Sequence, residues 1–179
     1  MTVAHPPPGH GFVLASGEAV DEVSPAIGVP ASVMRMRLTG AESGGRMTVF
    51  EHVIPLEDPG PPLHAHEATD EALTVIEGAL LVRLGDDTLS VSAGGFVWIP
   101  RRTPHTFTAQ DEPARYIGTA APAGVELFFH AIQEAGNRKD DPPTTSELAA
   151  RHGITILGPP LDRDTAGSPA VPPGQRRDR

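Results

Sequence analysis

The sequence of 179 residues predicts an all-β domain, an antiparallel sandwich or barrel, followed by one or two C-terminal helices. Two features of the chain carry this prediction. Many short segments alternate apolar with polar residues between Gly, Pro or Asp, which is typical of antiparallel strands joined by turns. After about residue 124 the apolar residues instead recur every three or four positions, which indicates helices.

The strand-like segments follow one another closely. In the first, 34–38, methionine and leucine alternate with arginine, and a turn-rich stretch, 40–45, comes after it. The composition of 85–87 is that of a hairpin turn, and the Gly-Gly pair at 94–95 marks another turn. The other predicted strands are 47–54, 63–66, 71–77, 79–84, 88–91, 96–99, 105–109 and 115–119.

Two helices are predicted beyond the strands. Over 125–135, five apolar residues fall on one helical face, and a glycine follows as a natural stop. Over 145–152, Thr144 and Glu147 have the spacing of a capping box, and the helix is expected to end before Gly153.

A single domain is expected over residues 11–158. The flanking segments, 1–10 and 159–179, are rich in Pro, Gly, Arg and Asp and contain few large apolar residues. Such segments cannot bury enough apolar surface to offset the entropy lost on ordering. We therefore expect both flanks to be disordered.

Charge and composition narrow the possible functions. The net charge is −9, from 14 basic and 23 acidic residues, so no nucleic-acid or membrane partner is expected. The chain has no cysteine, which excludes disulfides and thiolate-bound zinc and leaves His and carboxylates to hold any metal. No stretch approaches the roughly 18 apolar residues of a membrane span, and no signal-peptide pattern opens the chain, so a cytoplasmic location is expected.

Two histidines one residue apart give the strongest functional signal. In a strand, residues i and i+2 share a face, so His64 and His66 can point at one ion. Glu71 and His105 begin later strand-like runs and could complete the ligand set, although Asp70 is a rival to Glu71. Three neutral imidazoles and one carboxylate suit a divalent transition metal.

The spacing around these residues resembles the first motif of the cupin superfamily. The match runs His64-x-His66-x4-Glu71-x6-Gly78. It departs from the family pattern before the histidines, because Gly60 stands four rather than six residues ahead of His64. The resemblance implies an antiparallel double-stranded β-helix, the cupin or jelly-roll barrel, with the ligands converging inside it.

The second cupin motif is also recognisable. Gly94-x5-Pro100, followed by His105, matches most of it. Arg102 replaces the inner glycine of the motif, and Ala109 replaces its asparagine. Neither departure falls on a ligand position, so the resemblance still implies one bound divalent ion, which could be Fe, Mn, Ni, Co, Cu or Zn.

The segments 60–63 and 122–129 are similar to those of small single-domain bacterial cupins grouped with quercetinase-like dioxygenases. This likeness implies a metal-dependent dioxygenase acting on a small phenolic or enolizable compound. Glu71 is the best candidate for the catalytic base, because a carboxylate that moves off the metal could take a hydroxyl proton from the substrate. The same fold also hosts isomerases, cyclases and non-catalytic ligand-binding proteins with a structural metal. A homodimer is expected, because cupins of this size commonly pair and pairing covers edge strands.

Strand alternation predicts which residues form the walls of the substrate pocket. Leu73 and Val75 share the face of Glu71, and Phe107 shares the face of His105. Trp98 could line the pocket or pack outside it, and Phe128 could close its mouth or simply belong to the core. A further histidine, His52, is either a residue supporting the metal ligands or a core histidine with its bonds satisfied elsewhere.

Overall fold

The computed structural model describes residues 1–24, 32–138 and 143–164, and the strands in these residues form two antiparallel sheets. In chain order the strands are Asp21–Val23 (β1), Met34–Leu38 (β2), Thr48–Ile54 (β3), Pro62–His66 (β4), Asp70–Glu77 (β5), Ala79–Leu84 (β6), Asp87–Ser92 (β7), Phe96–Ile99 (β8), His105–Ala109 (β9), Ala114–Ala121 (β10) and Ile154–Pro160 (β11).

The order of strands shows a jelly roll. One sheet has the order β1-β2-β3-β10-β5-β8 and the other β11-β4-β9-β6-β7. From β3 to β6 the chain changes sheet at every connection, and it does so again from β7 to β10. This winding is the double-stranded β-helix that the sequence predicted, formed by two facing sheets.

The core lies between the sheets, and several strands bury alternate residues against it. Along β10, Ala114, Tyr116, Gly118 and Ala120 are buried, and the residues between them are partly exposed. Strands β3 and β5 follow the same period of two, as their sequences predicted, whereas β9 is buried along its whole length. The largest fully buried side chains include Tyr116, Phe50, Met36, Ile54, Leu73, Leu80 and Ile99.

The two predicted C-terminal helices are present, at Val125–Gly136 (α2) and Thr145–Arg151 (α3), after a short helix at Gly40–Ser43 (α1). The α3 capping box forms as expected, since Thr144 and Glu147 bond each other's backbone N–H. Helix α2 is anchored by Glu126, a buried carboxylate that accepts from the N–H of Gly40 at 2.8 Å and of Gly124 at 2.9 Å.

Three elements were not predicted. Helix α1 lies in the stretch predicted as turns, where Thr39 and Glu42 form a second capping box. Strand β1 has only three residues, too few to show a period. Strand β11 contains Gly158 and two prolines, which in a sequence argue against a strand, and its pairing with β4 shifts register on either side of that glycine.

The structure differs from the expectation of disorder in the segment 1–10. The N–H of Val3 donates to the carbonyl of Ala19 at 2.8 Å, and the N–H of Gly9 donates to the carbonyl of Glu42 at 3.0 Å. Main-chain pairing of this kind does not require large apolar side chains, and composition alone therefore misses it. Of the predicted C-terminal tail, 165–179 lies outside the described residues.

Two sequence predictions concern the outside of the molecule: that no segment spans a membrane and that the protein forms a homodimer. None of the helices in the described ranges is both long and apolar enough to span a membrane. Strand β8 forms one edge of the six-stranded sheet, with Phe96 and Trp98 exposed on it. An exposed edge of this kind is a surface that a second chain could cover, and the homodimer stays a prediction.

Gly118 provides a test of the core. It pairs with Phe50, and a Cβ at Gly118 would lie 2.1 Å from Cζ of that buried ring. We expect Gly118→Ala to lower the free energy of unfolding by about 1–3 kcal/mol, the usual cost of overpacking, as measured by urea denaturation. Gly11→Ala, which meets no atom within 4 Å, is the matched control. A Gly118→Ala variant as stable as this control would show that Phe50 moves aside at no cost.

Candidate metal centre

Four predicted ligands meet where the two sheets face each other. Strand β4 supplies His64 and His66, β9 supplies His105, and β5 in the opposite sheet supplies Glu71. His64 and His105 are register partners across the β4–β9 pair. All four side chains are buried, and one ligand atom from each lies within 4.8 Å of the others. The described residues thus contain the buried cluster that the sequence predicted.

Main-chain carbonyls orient two of the imidazoles. Nδ1–H of His64 donates to the carbonyl of Pro62 at 2.8 Å, and Nδ1–H of His105 donates to the carbonyl of Thr103 at 2.9 Å. Because a carbonyl oxygen can only accept, Nδ1 of each ring must carry the hydrogen. Each neutral ring therefore turns its Nε2 lone pair toward the cluster, as a metal-binding histidine does.

These lone pairs face other acceptors at short range. Nε2 of His64 lies 3.2 Å from Nε2 of His66, and Nε2 of His105 lies 3.2 Å from Oε2 of Glu71. Converging lone pairs and a carboxylate repel one another unless a proton or a cation lies between them. A divalent transition metal accepts all four donors at once without placing charge on buried imidazoles. The residues present therefore fit such an ion.

The electrostatics keep the cluster in its ligand form. Burial alone would raise the pKa of Glu71. Positive charge on the adjacent imidazoles of His105 and His66, when these rings carry a second hydrogen and donate it to the carboxylate, outweighs burial and holds this pKa well below its usual range. When the rings are neutral and present lone pairs, a bound cation would take the place of that charge. For His64, burial and repulsion from the other two imidazoles lower the pKa to about 3. At neutral pH the site thus offers an anionic carboxylate and a neutral His64.

The neighbouring carboxylate, Asp70, is not part of the cluster. It forms an ion pair with Arg101 at 2.6 Å, and these hydrogen bonds lower the pKa of Asp70 to about 2. It also accepts from the backbone N–H of Arg101 at 2.8 Å, which fixes the turn before β9. Strand alternation sends Glu71 inward and Asp70 to the rim, so the choice of Glu71 as ligand agrees with the structure.

A cavity of about 290 Å³ opens from the cluster into the space between the sheets and the helices. Among the predicted wall residues, Phe107 and Phe128 line it. Leu73 and Val75 share the inward face of Glu71 but lie in the packed core instead. Trp98 is 53% exposed, because β8 buries Val97 and Ile99 and turns its alternate residues outward. Other apolar lining residues are Met34, Phe50, Ile54, Val125, Phe129, Ile132, Ile154 and Ile156.

A second polar group in the same cavity was largely missed by sequence reasoning. His52 is buried, and it contacts Ser32 at 2.8 Å and the hydroxyl of Tyr116 at 3.2 Å. Ser32 in turn donates to Asp58 at 2.9 Å. The sequence singled out His52 only as an inward-facing strand residue, since its partners are 20 and 64 positions away.

Comparison with known proteins supports the assignment of the fold. Residues 50–119, which include all four candidate ligands, match the family model of the cupin domain. Over these residues the chain is similar to the cupin domain, and the order of its two sheets is that of the cupin fold. The sequence motifs around His64 and His105 had pointed to this family, and the topology of the two sheets agrees with it.

The chain is similar to two quercetin 2,3-dioxygenases. It is 28% identical over 86 residues to that of Bacillus subtilis, which covers 48% of this chain and 26% of the relative. It is 28% identical over 137 residues to that of Aspergillus japonicus, covering 72% and 39%. The chain therefore spans less than half the length of either relative. Among solved structures, KdgF from Halomonas sp. aligns with 17% identity and a TM-score of 0.48, covering 60% of this chain and 90% of that one.

The ligand assignment predicts how metal content responds to mutation. We expect the wild-type protein to bind one equivalent of divalent metal and the double variant His64→Ala, His66→Ala to bind well below one, because two of four ligands are gone. Elemental analysis of dialysed protein measures this. A control that removes His10 and His130, both outside the cluster, should keep the full equivalent. A full equivalent in the first double variant would contradict the assignment.

The buried His52 predicts a pH dependence of stability. Burial, opposed by Asp58, lowers the pKa of His52 from 6.5 to about 4. Between these pH values the unfolded state binds a proton that the folded state does not, so this contribution to stability is present above pH 6.5 and falls as the pH drops toward 4. The shift corresponds to about 3 kcal/mol at most.

Urea denaturation of chelator-treated protein at pH 6.5 and pH 4 tests this expectation. The His52→Gln variant should lose less stability over this interval than the wild type, while His10→Gln, at an exposed histidine, serves as the matched control. The same acid sensitivity in the His52→Gln variant and the wild type would mean that His52 is accessible to protons in the folded state.

Proposed function

We propose that this protein is a metal-dependent dioxygenase acting on a small phenolic or enolizable compound. The observation that carries the proposal is the buried three-histidine, one-glutamate cluster at one end of an apolar cavity. The likeness to two quercetin 2,3-dioxygenases supports the reaction class. A cavity of about 290 Å³ is near the lower limit for small-molecule sites, which favours a substrate of small volume.

His64, His66, His105 and Glu71 would hold the ion. Four protein ligands would leave room around such an ion for oxygen atoms of a substrate. A bound redox-active metal supplies Lewis acidity and electron exchange with dioxygen. The chain contributes the orientation of the imidazoles, through the carbonyls of Pro62 and Thr103, and a shielded space beside the ion.

The cavity walls select for a flat apolar body. Phe50, Phe107 and Phe129 line the space, and Ile154 and Ile156 of β11 line it near the ligand strand. Aromatic and aliphatic walls displace water from the site, which protects a reactive substrate and strengthens the electrostatic interactions around the cluster. A planar phenol fits such walls better than a sugar with hydroxyl groups on every side.

Glu71 is the proposed catalytic base. Its carboxylate belongs to the ligand cluster, beside the position where an ion would hold a substrate oxygen. A carboxylate is a weak base, so it accepts a proton most readily from a hydroxyl that is itself acidic. Phenols and enols have such hydroxyls, whereas aliphatic alcohols do not.

The first experiment combines metal analysis with an oxygen electrode. Protein purified without chelators or an affinity tag is analysed for metal, and quercetin is then added as the test flavonol. We expect one equivalent of a redox-active metal and oxygen consumption that depends on quercetin. Turnover without oxygen uptake would favour an isomerase or cyclase. Metal binding without turnover of any tested phenol would favour a ligand-binding cupin.

Glu71→Gln tests the base directly. The amide keeps the shape and one oxygen for weak coordination but cannot accept the proton. We expect turnover to fall by about 10²- to 10⁴-fold, the usual contribution of a positioned base, while most of the metal remains. Oxygen uptake and metal content are measured on the same sample.

Asp70→Asn is the matched control, because it removes the adjacent carboxylate that lies outside the cluster. It should retain both metal and turnover. If metal and activity fall in parallel in Glu71→Gln, Glu71 is a plain ligand. Full activity with full metal content in Glu71→Gln would instead show that Glu71 has no role in the reaction.

A further inference from the structure

A chain of four buried polar residues ends in the same cavity as the metal centre. Tyr116, His52, Ser32 and Asp58 are each at most 4% exposed. The phenol oxygen of Tyr116 lies 3.2 Å from Nδ1 of His52, Nε2 of His52 lies 2.8 Å from Oγ of Ser32, and that hydroxyl lies 2.9 Å from Oδ2 of Asp58. Tyr116, His52 and Asp58 line the cavity.

The direction of each hydrogen bond in this chain is determined. The carboxylate of Asp58 can only accept, so the hydroxyl of Ser32 donates its one hydrogen to it. Nε2–H of His52 must then donate to Ser32, and the neutral ring leaves Nδ1 as an acceptor. Tyr116 therefore donates its O–H to His52. The other oxygen of Asp58 accepts from the N–H of Gly60 at 2.9 Å, which holds the end of the chain in place.

This direction determines what Tyr116 can offer a ligand. Its hydrogen is committed to His52, so toward the cavity the phenol oxygen presents only lone pairs. An oxygen in this state accepts a hydrogen bond and cannot donate one. The ring is held by edge contacts with Phe107 and Phe50, at centroid distances of 5.4 and 6.2 Å, which fix the position of the oxygen.

Register separates the backbone of Tyr116 from the metal centre along the strand. On β10, Ala120 pairs with Glu71, and Tyr116 lies four residues further along the strand, opposite His52. At about 3.3 Å per residue, these two backbone positions are about 13 Å apart. Apolar side chains, including Phe50 and Phe107, line the cavity that both sites share.

We infer that Tyr116, oriented by His52, Ser32 and Asp58, is a second binding subsite that accepts a hydrogen bond from a hydroxyl at the end of the substrate remote from the metal centre. The inference rests on the proposed function, which places the other end of a phenolic substrate at the histidine cluster. It makes the substrate an elongated compound with hydroxyl groups at both ends. A phenol with a single hydroxyl would leave the buried acceptor unpaired, which costs binding free energy.

A matched pair of flavonols tests the inference. The probes are 3-hydroxyflavone and 3,4′-dihydroxyflavone, which differ by one hydroxyl at the end remote from the 3-hydroxyl group. Binding is measured by absorbance titration of the zinc-loaded protein without oxygen. We expect the dihydroxy compound to bind about 3- to 10-fold more tightly to the wild type, the worth of one hydrogen bond. In Tyr116→Phe, which keeps the ring, the ratio of the two affinities should fall to near one.

Two controls separate the hydroxyl of Tyr116 from general effects on the cavity. Thr145→Val removes another hydroxyl from the cavity lining and should leave the preference unchanged. Ser32→Ala breaks the chain beyond His52 and should reduce the preference without abolishing binding, whereas Ser32→Thr, which keeps the hydroxyl, should restore it. A preference that survives in Tyr116→Phe, or equal affinity of the wild type for the two flavonols, would overturn the inference.

Tyr116 is the single tyrosine of the chain, so it can be observed directly. Protein labelled with ¹³C at the tyrosine Cζ gives one resonance, and 3,4′-dihydroxyflavone should shift it further than 3-hydroxyflavone. Equal shifts would count against the subsite.

Failure of the proposed function would look different from failure of the subsite. Oxygen uptake would be absent, while the flavonol preference and the Cζ shift would remain. Oxygen uptake with equal affinity for both flavonols would retain the function and remove the subsite.

Discussion

The crowding of four lone-pair donors at the junction of the two sheets is the constraint on which the rest of the structure depends. Three imidazoles and a carboxylate within 4.8 Å of one another, all buried, oppose each other unless something positive joins them. The fold brings them together nonetheless, because β4 and β9 pair at His64 and His105 while β5 faces them from the other sheet. The carbonyls of Pro62 and Thr103 then hold two of the rings in the tautomer that leaves Nε2 free to face the cluster.

The interior contains two groups of buried polar residues, and their chemistry differs. The histidine cluster is a charged centre whose ligands converge on one point. The Tyr116–Asp58 chain is a linear series in which each hydrogen is committed to the next acceptor. Between them the walls are aromatic and aliphatic. A ligand spanning the cavity would meet the histidine cluster at one end, a neutral acceptor at the other and mostly apolar walls along its length.

Sequence reasoning succeeded where the information was local. Strand alternation gave most strands, and the i, i+2 rule placed His64 and His66 on one face of β4. It also separated Glu71 from Asp70. The two capping residues of α3 predicted that helix for the same reason, since the relevant contacts lie three positions apart.

Sequence reasoning failed where position depends on distant partners. Leu73 and Val75 face inward as expected, but depth between the sheets, which no local pattern encodes, puts them in the core instead of the cavity wall. Trp98 shows the same limit. The sequence left open whether it faces the pocket or the outside, and only the register of β8 on β5 decides which residues of β8 face outward. The bond between Ser32 and Asp58 joins residues 26 positions apart, and neither residue alone suggests it.

The pairing of β11 with β4 has a consequence for the order in which the protein is made. Strand β4 carries two of the candidate ligands, and it is flanked by β9 on one side and by β11 on the other, with Ile154 opposite His66 and Ile156 opposite His64. During synthesis β4 leaves the ribosome some 90 residues before β11. Until residues 154–160 emerge, the strand that holds these histidines has one unpaired edge, open to water and to other nascent chains. The histidine cluster is therefore enclosed late, by a strand that contributes no residue to it.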